Sequence, residues 1–421
     1  MKVLLVGSGG REHALAWRLA TSPSVTQVIV PNANPGIAEI ASTPALPSLE
    51  PAVLAEFAKA QRIDLTVVGP EAPLVHGIAD EFRRANLPIF GHTRDAARIE
   101  GSKAFAKRIM ARGGIPTARH DTFEIPEMAL AHVRSHKPPY VLKADGLAAG
   151  KGVVIAQSRD EAEAAIRDWM IEGKLGAAGK RLVIEEFLEG AESSFIAIVS
   201  GERFVSFREA RDYKRAYDGD RGPNTGGMGV VAPVAGDLAR RSEIEEKVIA
   251  RAAWAMKKEG CPLSGVLFAG LIWTGDGAKV LEFNCRFGDP ETQALLPLFE
   301  GDLGLLLHGG AVGELDERPL RFSNAHAVTV VVAAEGYPES PRAGDPIDGL
   351  SEAAAVAGVH VFHAGTRRDG ERIVTSGGRV AAVTGVAPDH EAARRRAYDG
   401  ASRIRFRGAW SRNDIGEESS S

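Results

Sequence analysis

The chain has 421 residues, too many for one ordinary core and enough for two or three domains. Its 51 Lys and Arg stand against 55 Asp and Glu, a formal net charge of −4, which argues against a general polyanion-binding surface and against sequence-independent grip on DNA. With 44% hydrophobic and 25% charged residues the composition is that of a folded chain in water, neither disordered nor fibrous.

No apolar stretch is long enough for a membrane span: Val3-Leu4-Leu5-Val6 breaks at Gly7, and Ala327 to Ala334 is strand-sized. Two cysteines, Cys261 and Cys285, cannot frame a disulfide-stapled fold, and with no export signal a cytoplasmic location is expected. The pairs His360-x-x-His363 and His132-x-x-x-His136 lack cysteine or carboxylate partners in sequence, which disfavours zinc. Glycine is the informative count, 47 residues in all, and a typical chain of this length would carry roughly 7%. Bare backbone that can approach phosphate is the first explanation.

In chain order, the first hundred residues read βαβαβ: strand Lys2 to Val6, helix Arg11 to Ala20, strand Gln27 to Val30, helix Pro51 to Gln61, strand Asp64 to Val68. That alternation predicts a parallel sheet with both faces covered. Gly7-Ser8-Gly9-Gly10-Arg11-Glu12 only partly matches a dinucleotide fingerprint, because Glu12 takes the third glycine position and no acid follows the second strand to hold a ribose. The glycines either receive a phosphate at the helix start or simply make a tight turn. From about residue 101 the pattern becomes α+β. Ser102 caps a helix from Lys103 to Arg112; Tyr140 to Lys143 and Gly152 to Ala156 form a hairpin around a glycine loop; Arg181 to Glu186 and Ser194 to Ser200 are further strands. A long amphipathic helix carries Ile244, Val248, Ala252 and Ala255 and stops at Gly260, before strands Gly265 to Trp273 and Lys279 to Phe283. Beyond Asn324 the chain is β-rich, with strands Val328 to Ala334, His360 to Ala364 and Arg379 to Thr384. A helix from His390 to Arg403 follows, whose Arg394-Arg395-Arg396 run reads as a solvated face. The polar tail Glu417 to Ser421 reads as disordered.

The most specific string is Leu281 to Glu291. On a strand, Glu282 and Asn284 share a face, so a carboxylate and an amide oxygen can meet one hard cation while Phe283 packs behind them. Mg²⁺ suits such a partial shell because it keeps waters and shares substrate phosphates. Lys103 at a helix start and Lys143 facing the glycine loop are candidate phosphate partners. The loop through Gly150, Lys151 and Gly152 is no P-loop and reads as a flap. Glu185-Glu186-Phe187-Leu188, with Glu192 beyond, suits a backbone hinge for an adenine edge and a carboxylate for ribose hydroxyls. Arg211-Asp212-Tyr213-Lys214-Arg215 and the turn Gly222 to Gly229 suit a small zwitterion and a phosphate. Cys285 reads as a buried small side chain rather than a nucleophile.

Taken in order, Val6 to Ala14, Val68 to Leu74, Gly101 to Phe105, Lys143 to Gly152, Pro223 to Gly229, Glu282 to Gln293 and Phe362 to Thr366 resemble the glycinamide ribonucleotide synthetases of the ATP-grasp superfamily over nearly the whole chain. The resemblance implies an α/β and α+β multidomain fold: a parallel-sheet (pre-ATP-grasp) domain over 1–100, an ATP-grasp domain over 101–324 with a mobile lid at about 122–192, and a β-rich domain over 325–421. The end of the chain near residue 421 suggests the single-activity form. The implied reaction joins glycine to 5-phosphoribosylamine with ATP and Mg²⁺ (or Mn²⁺), through a glycyl phosphate, in purine synthesis. Similarity further assigns Glu185 to Leu188 to adenine, Glu192 to ribose, Asp212 to the glycine ammonium with Lys214 balancing charge, and Arg286 to the transferred group. Gly9, Gly10, Asp289 and Arg379 are assigned to the ribosylamine. No nucleic acid or membrane partner is implied, and a monomer or weak homodimer is expected. Another ATP-grasp ligase or carboxylase, a nicotinamide dehydrogenase and a non-catalytic nucleotide sensor are the rival readings.

Overall fold

Alternating strand residues of the first region are apolar on both faces, and in the computed structural model, which describes residues 1–146 and 152–417, both faces are covered. Strands Gln27–Ile29, Lys2–Val6, Leu65–Val68 and Ile89–Phe90 lie side by side in that order, all parallel. Val3 and Leu5 enter one hydrophobic core and Leu4 and Val6 another, as a doubly covered parallel sheet requires. Both cores continue into a second sheet of antiparallel strands Arg203–Ser206, Ala191–Ser200, Ser264–Thr274 and Gly277–Asn284. Phe195 and Leu267 join the core that holds Leu4, while Ile196 and Val266 join the one that holds Val3. The long helix runs Asp237–Ile244, a wider π turn Glu245–Ala250, and Arg251–Lys258. It buries Ile244, Val248, Ala252 and Ala255, and Gly260 stops it at φ +84°, a conformation glycine adopts without strain.

A third, antiparallel sheet stands apart. Strands His120–Phe123, Leu182–Glu186, Tyr140–Ala144 and Val153–Ala156 carry helices Pro126–Ser135 and Arg159–Ile166. Its core is drawn only from residues between Ala129 and Ile184. The predicted hairpin is present, with Lys143 opposite Val153, while Leu147 to Lys151 lie outside the described residues.

The last sheet does not come from the C-terminal third alone. Strands Arg211–Asp212 and Gly229–Ala232 pair in succession with His326–Ala333, which pairs with Arg379–Ala387 and that with Val359–His363. Two strands from the middle of the chain therefore tie the site to the last domain. The arginine run on helix His390–Arg403 is not simply a solvated face. Arg394 donates to the carbonyls of Ile415 and Asn413, 3.0 and 2.7 Å away, and Arg396 to that of Val386; of the three only Arg395 is exposed. First and last domains meet where Asn34 donates to the carbonyls of Ser8 and His363, at 2.7 and 2.9 Å, and the His363 N–H donates to His13 Nδ1 at 2.8 Å. No cluster of three or more His, Cys, Asp or Glu able to hold a metal occurs among the described residues.

Candidate active site

The strand Gly277–Asn284 carries a bulge. Glu282 lies opposite Gly270, but the next pair is Val280 with Leu271, so Leu281 is the extra residue. A bulge of this kind re-aims side chains and leaves a backbone group unpaired; here the freed Leu281 carbonyl accepts from Lys143 Nζ at 2.9 Å. Gly270 makes room opposite, since a side chain there would stand 3.3 Å from Glu282 Cγ. Phe283 packs behind in the core, 2% exposed. The half-buried Glu282 makes no hydrogen bond or ion pair among the described residues. Burial would raise its pKa, but Lys103, Lys214, Lys143 and Arg286 outweigh burial and hold it below the usual carboxylate range. Buried Asn284 turns its carbonyl oxygen to Arg286 Nη2 at 3.3 Å. Arg286 also reaches Glu100 at 3.2 Å and Glu71 at 3.5 Å. Burial opposes its charge, yet Glu100 and Glu71 raise its pKa further. Cys285 is buried, and burial together with Glu100 pushes its thiol well up, so it is no nucleophile.

Ser102 caps the helix Lys103–Gly113 by accepting from the Phe105 N–H at 3.1 Å. Lys103 opens that helix beside Glu282 and makes no hydrogen bond or ion pair among the described residues. Lys143 is expected to face a loop whose residues Leu147 to Lys151 lie outside the described residues. Its ammonium turns back to Glu185 Oε1 at 2.9 Å and to the Leu281 carbonyl, because the bulge offers an acceptor there. Glu185 in turn takes Lys107 on its other oxygen at 3.0 Å. Gly152 is buried and its carbonyl accepts from Ala144 N–H at 2.8 Å, closing the hairpin; Gly150 and Lys151 lie outside the described residues.

Glu186 spends its side chain on Arg119, at 2.7 and 2.9 Å. Phe187 and Leu188 follow the strand end, and among the described residues their main-chain groups take part in no hydrogen bond. Glu192 is not free as expected for a ribose partner. Lys214 Nζ sits 2.7 Å from it and 3.9 Å from Asp212 Oδ1.

Asp212 is the odd carboxylate of the site. Its side chain is 7% exposed and its Oδ1 is buried without a hydrogen-bond partner. Burial first, then Glu192 and Glu282, raise its pKa against the pull of Lys214. Glu291 is buried nearby, accepts from Ser194 Oγ at 2.9 Å, and is pushed up to about 7 by burial and by Asp212. Asp289 accepts from Gln293 at 2.8 Å and pairs with Arg379 at 3.3 Å, which holds it low despite burial. Arg379 staples two turns. Its Nη1 donates to the carbonyls of Gly226 and Asp289 at 2.6 and 2.8 Å, since neither turn supplies its own donor. Gly9 and Gly10 lie against Glu12 and Gln293. The Gly9 N–H donates to Glu12 at 2.7 Å, side chains on Gly7 or Gly69 would collide with Glu12, and one on Gly10 would meet Gln293.

Three family models tile the chain: phosphoribosylglycinamide synthetase N domain over residues 1–100, ATP-grasp (A) domain over 101–292 and C domain over 327–418. The chain belongs to the phosphoribosylglycinamide synthetase family. It is 48% identical to the phosphoribosylamine–glycine ligase of Salmonella typhimurium over 99% of this chain and 98% of that one. The Pseudomonas aeruginosa ligase is 47% identical over 99% and 97%. The crystal structure of the Thermotoga maritima ligase matches with TM-score 0.87 at 36% identity, covering 99% of this chain and 100% of that one. The biotin carboxylase domain of a Hydrogenobacter thermophilus carboxylase, solved with MgADP and bicarbonate, shares the fold alone, with TM-score 0.74 at 17% identity over 97% and 91%.

In this member of the family, Asn284, Arg286, Lys103, Lys143, Glu185, Asp212 and Lys214 gather around Glu282. Glu71, Glu100, Lys107 and Glu291 were not singled out in the sequence. Lys107 had a signal: it stands four residues after Lys103 and so on the same helix face. Glu71 and Glu100 had none, because only tertiary packing brings them to Arg286.

Proposed function

We propose that the chain joins glycine to 5-phosphoribosylamine at the expense of ATP, passing through a glycyl phosphate and releasing ADP, phosphate and glycinamide ribonucleotide. The observation that carries this reading is the pairing of Glu282, an unpartnered carboxylate among four cations, with Asp212, a buried carboxylate whose Oδ1 has no partner. The first suits a nucleotide's metal and phosphates; the second suits the ammonium of an amino acid.

The residues fit a divalent cation. Glu282 and Asn284 present hard oxygen donors but no full cage, the shell that Mg²⁺ or Mn²⁺ completes with water and phosphate oxygens. Such an ion would neutralise phosphate charge. The chain's own residues do the rest. Unclaimed main-chain groups of Phe187 and Leu188 take the adenine edge, and Lys103 and Lys143 take phosphate oxygens. Arg286, fixed by Glu71 and Glu100, stands where charge develops on the transferred group. Asp212 takes the glycine ammonium, aligning the carboxylate toward the terminal phosphate, so the gain is one of position. Asp289 and the Gly9-Gly10 turn take the sugar amine by its hydroxyls; with Glu12 and Asp289 both there, the turn suits a diol better than a phosphate. The lid closes over the acyl phosphate and keeps water from it.

The test is isotopic. Glycine labelled with ¹⁸O in its carboxylate should deliver label to the released phosphate, and ADP formation should need glycine but not bicarbonate. Label confined to glycine and amide would replace the acyl phosphate with direct condensation.

A further inference from the structure

Three charged side chains buried under the lid hinge are not all accounted for by the proposed reaction. Lys107, Lys143 and Glu185 are 3%, 6% and 3% exposed. Glu185 bridges them, with Oε2 at 3.0 Å from Lys107 and Oε1 at 2.9 Å from Lys143. Lys107 is anchored on the body side: its ammonium lies 2.8 Å from Thr117 Oγ1, which itself donates to the Val280 carbonyl at 2.6 Å. Val280 pairs with Leu271 just before the bulge, and the bulged Leu281 supplies the other acceptor for Lys143. One network thus joins the helix Lys103–Gly113, the lid strands Tyr140–Ala144 and Leu182–Glu186, and the strand that bears Glu282.

The charge arithmetic gives Lys107 a task. Two ammonium groups share one carboxylate, leaving one positive charge over. Without Lys107, Glu185 would cancel Lys143, and a phosphate would have to compete with a buried ion pair for that lysine. We propose that Lys107 is a positioning residue for nucleotide binding: by occupying one oxygen of Glu185 it keeps the charge of Lys143 available to the phosphates of ATP. Burial and the nearby Lys143 strain its own protonation, lowering its pKa to about 8 although Glu185 and Glu186 favour the charged form. The inference rests on the reading of Lys143 as a phosphate ligand.

Affinities for ATP and for adenosine, measured by calorimetry on the full chain, separate the possibilities. Lys107→Met should weaken ATP by about tenfold or more, the scale of losing one charge in a shielded site, with adenosine changed less than about twofold. Lys107→Gln, which fills the space and can still donate to Thr117, carries the same expectation should the methionine variant not fold. Lys107→Arg, which keeps the charge, should restore the preference for ATP. An equal loss of both ligands would mean that Lys107 only shapes the hinge, and an unchanged ATP affinity would also overturn the proposal. Lys143→Met is the control: if it leaves ATP binding intact, the phosphate role of Lys143 fails; if it loses ATP while Lys107→Met does not, only the role of Lys107 fails.

Discussion

The two walls of the cleft handle charge in opposite ways. On one wall Lys103, Lys107 and Lys143 outnumber Glu185, and the open carboxylate of Glu282 is held ionised by surrounding cations. On the side of the last sheet Asp212 and Glu291 are buried, and burial with neighbouring acids raises their pKa values against the pull of Lys214 and Arg286. A wall with spare positive charge suits phosphates, and a wall with under-compensated acids suits an ammonium. The same residue types do both jobs, and the balance of neighbours decides which.

The largest effect expected from breaking this contrast is at Glu282. If Glu282 holds the metal as proposed, Glu282→Gln should cut metal-dependent turnover by about a thousandfold or more while leaving the melting temperature close to native. Steady-state rates over a metal titration check it; undiminished turnover would place the metal elsewhere.

Glu291 sharpens the other wall through pH. Its folded pKa of about 7 lies above the 4.5 of an ordinary glutamate, so the folded chain holds an extra proton between those values. Stability should therefore fall as pH rises from about 4.5 to 7, by on the order of 3 kcal/mol at most. Glu291→Gln, which stays neutral, should flatten that slope in denaturant titrations at several pH values.

Asp212→Asn should raise the KM for glycine by about a hundredfold with the KM for ATP near native, since only the ammonium loses its partner. A matching rise for ATP would show that the two walls act as one. The smallest change is expected at Arg379. Arg379→Gln leaves the carbonyls of Gly226 and Asp289 short of a donor and should raise the KM for glycine and the ribosylamine by about tenfold, again sparing ATP.

Much of this was legible before folding. Glu282 and Asn284 were readable because strand alternation puts both on one face, and Ser102 because capping is local chemistry. The Leu281 bulge was not readable, since a one-residue register shift depends on the partner strand. Nor was the service of Gly7 and Gly69 to Glu12, which needs two turns folded against one side chain. The contacts of Arg379 with the carbonyls of Gly226 and Asp289 were not readable either, because a lone arginine in sequence shows its charge but not the carbonyls it meets.

The amino-acid order alone determined the element types, the parallel first sheet, the capped helix of Lys103 and the strand that carries Glu282 and Asn284 on one face, because these follow from periodicity and from contacts within a few residues. Only the tertiary structure decided which charges neutralise which: that Glu185 serves two lysines, that Lys214 goes to Glu192, and that Asp212 keeps an unpartnered oxygen. Electrostatic balance depends on distance and burial in space, and neither is carried by position along the chain.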